Sequence, residues 1–186
     1  MKLKLLEQEI EELKKQHNNF ELELWFFDET GFDLEPSVPY AWQPIEPIEV
    51  PSSPSQRLNV LGFLTQDNKF ESFCFECSVD TDIVIATLDK FIPNKSSKKR
   101  VIILDNASIH TSYKFIDKIE QWEKQGLFIK YLPPESKKLN IIEILWRFIK
   151  YTWLPFSAYS SFKQLVTEVE NILSQIGEQF KVQFAT

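Results

Sequence analysis

Leu22-Glu23-Leu24-Trp25-Phe26-Phe27-Asp28-Glu29-Thr30-Gly31 is the stretch that decides how this chain folds. Its dense apolar and aromatic run predicts a strand that stops at two carboxylates and a glycine turn. Val101-Ile102-Ile103-Leu104-Asp105 repeats the arrangement: a short, continuous apolar strand, buried on both faces, that ends on a carboxylate. Between the two, Leu58 to Leu64 and Phe70 to Cys77 read as strands joined in a hairpin by residues 65–69. Leu127 to Leu132, closed by Pro133-Pro134, is a fifth strand. Apolar residues at helical spacing predict helices over 78–91, 111–125, about 139–151 and about 160–176. Leu6, Ile10 and Leu13 do the same at the start, giving a lead-in helix or linker over 1–20 ahead of one domain over 21–186. Residues 32–57 hold six of the ten prolines and read as an ordered irregular excursion or a short hairpin. The order β-β-β-α-β-α-β-α-α predicts an α/β fold. Three antiparallel-type strands are followed by parallel strands in one mixed sheet, flanked by helices.

Composition narrows the function. With 43% apolar residues in 186, the chain can build a sizeable core, which excludes a long disordered segment. Cys74 and Cys77 are the only cysteines, so neither a disulfide scaffold nor a four-cysteine zinc site is available, and their C-x-x-C spacing falls in an alternating strand. Four glycines occur and none forms a phosphate-binding loop of standard spacing. The formal net charge of -6 is awkward for a protein that grips nucleic acid unaided, because that grip comes from cations on phosphates. It suits a module that gathers carboxylates while a partner supplies the grip. No apolar run approaches the ~20 residues of a membrane-spanning helix, and the Lys- and Glu-rich start has no leader pattern, so a cytoplasmic protein is expected.

Three acids stand out by position: Asp28 and Asp105 at strand ends, and Glu143 one turn inside the helix after the fifth strand. Chemistry in open α/β sheets collects at the edge where strands end. If the first and fourth strands run side by side in the same direction, the two aspartates meet despite their separation in sequence, and Glu143 closes the group. Gathered carboxylates repel one another unless cations are present, and oxygen-rich sites of this kind suit Mg²⁺ or Mn²⁺. Two such ions about 4 Å apart can activate water or a 3′-hydroxyl for in-line attack on a phosphodiester. An acid at a strand end is also common in loops and caps, so a nonspecific acidic cleft stands beside this reading.

The neighbours carry secondary expectations. His110 either meets a phosphate or orients a metal-bound water, or it caps the following helix or bonds a loop carbonyl. Asn140 is expected to cap or stabilise the start of the helix that holds Glu143, with contact to substrate near the metal site as the alternative. Glu29 points opposite to Asp28 by strand alternation and supports the fold near the site. Lys137, Lys138, Arg147 and Lys150 are candidates for a basic rim that touches DNA, and Lys98-Lys99-Arg100 is a second local cluster. Trp146 and Trp153 read as core or interface residues.

Three segments in order then carry a resemblance: Phe26-Phe27-Asp28-Glu29-Thr30-Gly31-Phe32, Leu104-Asp105-Asn106-Ala107-Ser108-Ile109-His110, and Leu132-Pro133-Pro134 through Leu139-Asn140-Ile141-Ile142-Glu143-Ile144-Leu145-Trp146. Over about residues 24–153 the chain resembles the DDE endonuclease (catalytic) domain of mariner-like bacterial insertion-sequence transposases. Tyr40-Ala41-Trp42 and Arg57-Leu58-Asn59-Val60-Leu61-Gly62 add to the likeness. The resemblance implies a ribonuclease-H-like fold and a catalytic triad of Asp28, Asp105 and Glu143 holding two divalent ions. Asn106 and His110 would support the second acid. It further implies metal-dependent hydrolysis and strand transfer at element ends, with double-stranded DNA (ends and target) as partner and a possible homodimer. Such proteins generally place a helix-turn-helix head before this domain, whereas about 20 residues precede the first strand here. The chain therefore looks like the second part of a two-frame element, with end recognition left to an upstream product or a fused head. Glu135, Lys137 and Ile141 depart from the usual tyrosine, proline and proline, and Glu46-Pro47 falls where a glycine is common. The loop before the Glu143 helix gains freedom from the missing proline. The competing reading is a catalytically inactive transposase remnant that serves as an assembly or interaction subunit.

Overall fold

A computed structural model describes residues 2–35, 56–92 and 98–184. Most of the proline-rich excursion, with Tyr40-Ala41-Trp42 and Glu46-Pro47, lies outside the described residues, as does the break at 93–97. The strands are β1 (Glu23–Asp33), β2 (Arg57–Leu64), β3 (Phe70–Phe75), β4 (Arg100–Asp105) and β5 (Leu127–Leu132). The helices are α1 (Lys2–Asn18), α2 (Thr81–Lys90), α3 (Tyr113–Lys124), α4 (Ile142–Phe148) and α5 (Phe162–Ser174). One five-stranded sheet runs β3-β2-β1-β4-β5. β1, β2 and β3 pair antiparallel, while β4 and β5 run parallel to β1. This is the mixed sheet that the pattern of runs predicts and the ribonuclease-H-like arrangement that the resemblance implies.

Period-two alternation divides the sheet between two cores. Leu24 and Phe26 of β1, Leu58, Val60 and Leu64 of β2 and Ile103 of β4 face the side covered by α1, α4 and α5. Trp25, Phe27, Leu61, Phe63, Ile102 and Leu104 face the side covered by α2 and α3. β1 lies in the middle of the sheet and is apolar on both faces, which is why its sequence reads as a run rather than an alternation.

Two details of β1 correct the sequence reading. The strand does not stop at Asp28: it continues through Gly31 to Asp33, because β2 pairs with it as far as Asp33↔Arg57. The parallel ladder with β4 is shorter and ends at Phe26↔Ile103. Asp28 therefore stands where β1 has lost one neighbour and kept the other.

The helical ends follow local chemistry. Asp80 and Ser112 cap α2 and α3 by accepting from the backbone N–H three residues on. Gly126, at φ 86°, takes the left-handed conformation that ends α3 and turns the chain into β5. The helix expected over about 139–151 starts at Ile142 as α4 and continues as a π-turn over 149–153, and a 3₁₀ segment over 134–139 stands where a loop was expected. Among the described residues no helix is long and apolar enough to cross a membrane. Cys74 and Cys77 are both unpaired, as expected from their place on β3 and just beyond it.

Phe63 holds the second core together: its ring stacks on Phe91 at 4.0 Å and meets Phe27 at 4.8 Å. Phe63→Ala is expected to cost about 3–5 kcal/mol, the range for emptying a fully buried aromatic site. Urea denaturation with an unchanged m-value would check it.

Candidate functional site

Register brings the acids together. Partners in the β1–β4 ladder differ by a constant 77 in number, from Glu23↔Arg100 to Phe26↔Ile103. Carried two residues past the last pair, the same offset (105 − 28) aligns Asp28 with Asp105. Alternation assigns both to the sheet face covered by α4, and α4 carries Glu143 on its first turn. Asp28 senses the other two acids. The Asp28 carboxyl is raised from its ordinary 3.8 to about 7, mainly by burial. The Glu29 backbone N–H opposes the rise, and the charges of Asp105, Glu143 and Glu29 add to it. Glu29 is raised as well, by burial first, with His110 opposing.

Each aspartate has an oxygen engaged by its own surroundings. Asp28 Oδ2 accepts from Trp146 Nε1 at 3.2 Å. Asp105 Oδ1 accepts from Ala107 N at 3.1 Å and lies 3.0 Å from His110 Nδ1. Among the described residues, no group of three His, Cys, Asp or Glu side chains closes tightly enough to hold a metal ion. The donor chemistry fits Mg²⁺ or Mn²⁺, and the closure does not. His110 Nε2 and Asn140 Oδ1, beside Asp105 and Asp28 respectively, are buried without a hydrogen-bond partner. Orphaned polar atoms of that kind concentrate at functional sites.

The supporting residues differ from expectation in instructive ways. His110 does not reach outward to a phosphate. It is 1% exposed, its ring is packed against Phe27 and Phe115, and its backbone carbonyl accepts from the Tyr131 hydroxyl at 2.6 Å. Asn140 does not cap α4, which begins with no side-chain cap. Its Nδ2 instead donates to the Phe27 carbonyl at 2.9 Å, just past the point where the β1–β4 ladder ends. That bond ties the start of the Glu143 helix to the strand that carries Asp28. Asn106 is exposed on the loop after Asp105, while His110, the other residue expected to support that acid, meets it together with Ala107 N. Lys138 and Arg147 are exposed, Lys150 is half-buried, and the Lys137 side chain lies outside what the structure describes. The Lys150 ammonium is lowered from its ordinary value by burial and then by the nearby Arg57 charge, while Asp33 and Asp28 pull it back up.

Sequence reading placed Trp146 in the core and missed its second task. The indole is 5% exposed and crosses β2 at Gly62, where an added Cβ would stand 2.6 Å from Cη2. Gly62 is paired with Asp28, so a residue without a side chain opens the slot from which the indole N–H reaches the acid. The spacing Glu143–Trp146, one helical turn, was the available signal.

The sequence profile described as DDE superfamily endonuclease matches residues 23–166, and the chain belongs to that family. No curated protein sequence matches it. Among solved structures it is similar to the Mos1 transposase paired-end complex with left transposon end, at TM-score 0.58 and 13% identity, covering 93% of this chain and 53% of that one. It is similar to the Mos1 mariner paired end complex with Mn at TM-score 0.54 and 14% identity, covering 88% and 52%. The catalytic domain of Mos1 mariner transposase aligns at TM-score 0.54 and 11% identity, covering 88% and 76%. At these identities the likeness is one of fold. The chain spans about half the length of the Mos1 transposase chains in their DNA complexes.

Two predictions follow from this geometry. The folded Asp28 carboxyl titrates near 7 and the unfolded one near 3.8, so the folded state keeps a proton that the unfolded state has lost between those values. Stability therefore falls as pH rises from about 4 to about 7, and the penalty is complete above that. In chelator, Asp28→Asn should raise Tm by about 3–8 °C at pH 8, and the gain should shrink toward zero as pH approaches 4. Scanning calorimetry across pH reads this directly. Separately, Gly62→Ala should cost about 1–3 kcal/mol by overpacking against the indole. Trp146→Phe, with its shorter ring, should relieve much of that in a double-mutant cycle, so the two changes should not add.

Proposed function

We propose that the chain is the catalytic domain of a DNA transposase of bacterial insertion-sequence type, hydrolysing phosphodiesters at element ends and joining the freed 3′-hydroxyl to target DNA. The observation that carries this reading is the level placement of Asp28 and Asp105 on adjacent parallel strands, electrostatically coupled to each other and to Glu143. In this reading residues 21–186 are the catalytic unit, with α1 as its lead-in, working in the cytoplasm. Mg²⁺ or Mn²⁺, when bound by Asp28, Asp105 and Glu143, would supply the positive charge that stabilises the crowded phosphodiester during displacement. The chain's own residues set the stage for that charge. Trp146 fixes one oxygen of Asp28, Ala107 N and His110 fix one of Asp105, and Asn140 holds the start of the Glu143 helix against β1. Burial and mutual repulsion give the group its need for cations. Recognition of element ends would come from a helix-turn-helix head, supplied in trans or by fusion, and a homodimer would hold two ends together.

A second reading has its own observation. The described carboxylates do not close into a metal-holding group, and Asp105 is turned toward its own loop. A non-catalytic remnant that serves as an assembly subunit would keep this fold without that closure.

Cleavage of element-end DNA in Mn²⁺, with and without the upstream reading frame's product, separates the two. The active reading expects a cut or nicked end that falls at least ~10²-fold in Asp28→Ala, Asp105→Ala and Glu143→Ala, and a strand-joined product with the unmutated chain. Folded protein that yields neither product in the full mixture decides for the remnant.

A further inference from the structure

Beyond the acids, β1 continues to Asp33 and the chain lines a second, smaller pocket. Its volume is about 150 Å³, and Gly31, Arg57, Lys150 and Tyr159 contribute to its walls, with Asp33 and Glu35. Arg57 is the first residue of β2, opposite Asp33, and its guanidinium lies across the bare Cα of Gly31, where any side chain would displace it. Its Nε donates to Asn59 Oδ1 at 3.1 Å, which fixes the plane of the group. Lys150 comes from the π-turn after α4 and rests over the Phe32 ring, 5.3 Å from its centroid.

Neither cation has a carboxylate partner within ion-pair distance among the described residues. Lys150 is half-buried beside a second positive charge, and such an arrangement is costly without an anion between the two groups. Asp33 shares the pocket wall with Glu35 and pulls Lys150 back up from beyond ion-pair distance, while its Oδ1 accepts from Glu35 N at 3.2 Å and closes the turn at the end of β1. Asp28 and Phe32 are four residues apart on one strand face, roughly 13 Å at ~3.3 Å per residue, while Gly31 and Arg57 belong by alternation to the other face, so the pocket at the end of β1 is lined from both. One nucleic-acid strand covers that distance in about four nucleotides at ~3.4 Å each.

We propose that Arg57 and Lys150 form a phosphate-binding subsite that holds the backbone of a DNA strand about four nucleotides from the bond at the acidic group. The assignment rests on the proposed DNA-cutting function for its ligand, and on the unpaired cations for its chemistry. Arg57 supplies the planar donor fork that matches two phosphate oxygens, and Lys150 supplies a point charge from the α4 side.

The test uses the full chain in chelator, with a short duplex of arbitrary sequence and, separately, inorganic phosphate. Fluorescence anisotropy against salt should show the Arg57→Gln/Lys150→Gln double variant binding DNA roughly 5- to 20-fold more weakly. The slope of log affinity on log salt should be smaller by about 1, as for one lost phosphate contact. Lys124→Gln, on α3 across the sheet, should change neither quantity. Inorganic phosphate at millimolar concentration should raise the Tm of the unmutated chain and not that of the double variant. It should also shift the Gly31 amide resonance, a readout that needs no variant to fold. DNA binding with unchanged affinity and slope in the folded double variant would overturn the subsite, as would a silent Gly31 amide on phosphate addition. Phosphate binding without any DNA binding would leave the anion site standing and sink the DNA-cutting function instead.

Discussion

The pairing of β1 with β4 is the constraint on which the rest depends, and one ion pair pins its register. Glu23 and Arg100 are directly opposed at the first rung, with Arg100 Nε donating to Glu23 Oε2 at 2.6 Å and Nη1 donating to the Phe91 carbonyl at 2.7 Å. Both side chains are largely shielded from water, so this charge-assisted contact is stronger than a surface pair. A slip of one residue would turn one strand's side chains to the opposite face relative to the other. Asp28 and Asp105 would then lie on different sides of the sheet, and Phe26 and Ile103 would leave their core. The apolar pattern and the ion pair agree on a single register, and the level placement of the two acids is its by-product.

Holding acids together against repulsion needs rigid neighbours. Asp28 is flanked by fully buried rings on both faces of β1, since Phe26 and Phe27 are each 0% exposed. The carboxyl therefore has little room to retreat and responds by binding protons more tightly. The polar groups that meet the two aspartates come from two separate elements, the indole on α4 and the β4–α3 loop, while the Asn140 amide holds the Phe27 carbonyl beside Asp28. The indole and the amide both bridge β1 to the α4 region, so the contact that aims Asp28 also helps seat the Glu143 helix.

Much of this was legible in the residues. Apolar runs located all five strands, and Asp28, Asp105 and Glu143 could be singled out because each interrupts or follows such a run. What escaped were features set by pairing across long sequence separation. Asp28 reads as a strand end from its own neighbours, yet β2 extends the strand five residues further through Asp33↔Arg57. Asn140 has the residue type and place of a cap, but a carbonyl 113 residues earlier competes successfully for its amide. His110 looks like a surface ligand because it follows a polar loop, and only the packing of Phe27 and Phe115 around it reveals a buried ring. Gly62 and Trp146 carry no local mark of their mutual fit, which exists only once α4 lies on β2.

The charge of the chain takes on meaning at this scale. A net −6 spread evenly would repel a polyanion from every side. Of the described cations near the acids, Arg147 and Lys150 follow Glu143 on the same stretch of chain, and Arg57 meets Lys150 at the end of β1 from the other sheet face, over Gly31. The opposite face of the sheet is sealed by α2 and α3 over an aromatic core. Under the proposed function, a strand of DNA that approaches the acids would meet the described charges of Arg147 and Lys150 along the α4 side. The sheet sets the direction of approach, and affinity over a longer track must come from surfaces outside this pocket and its rim.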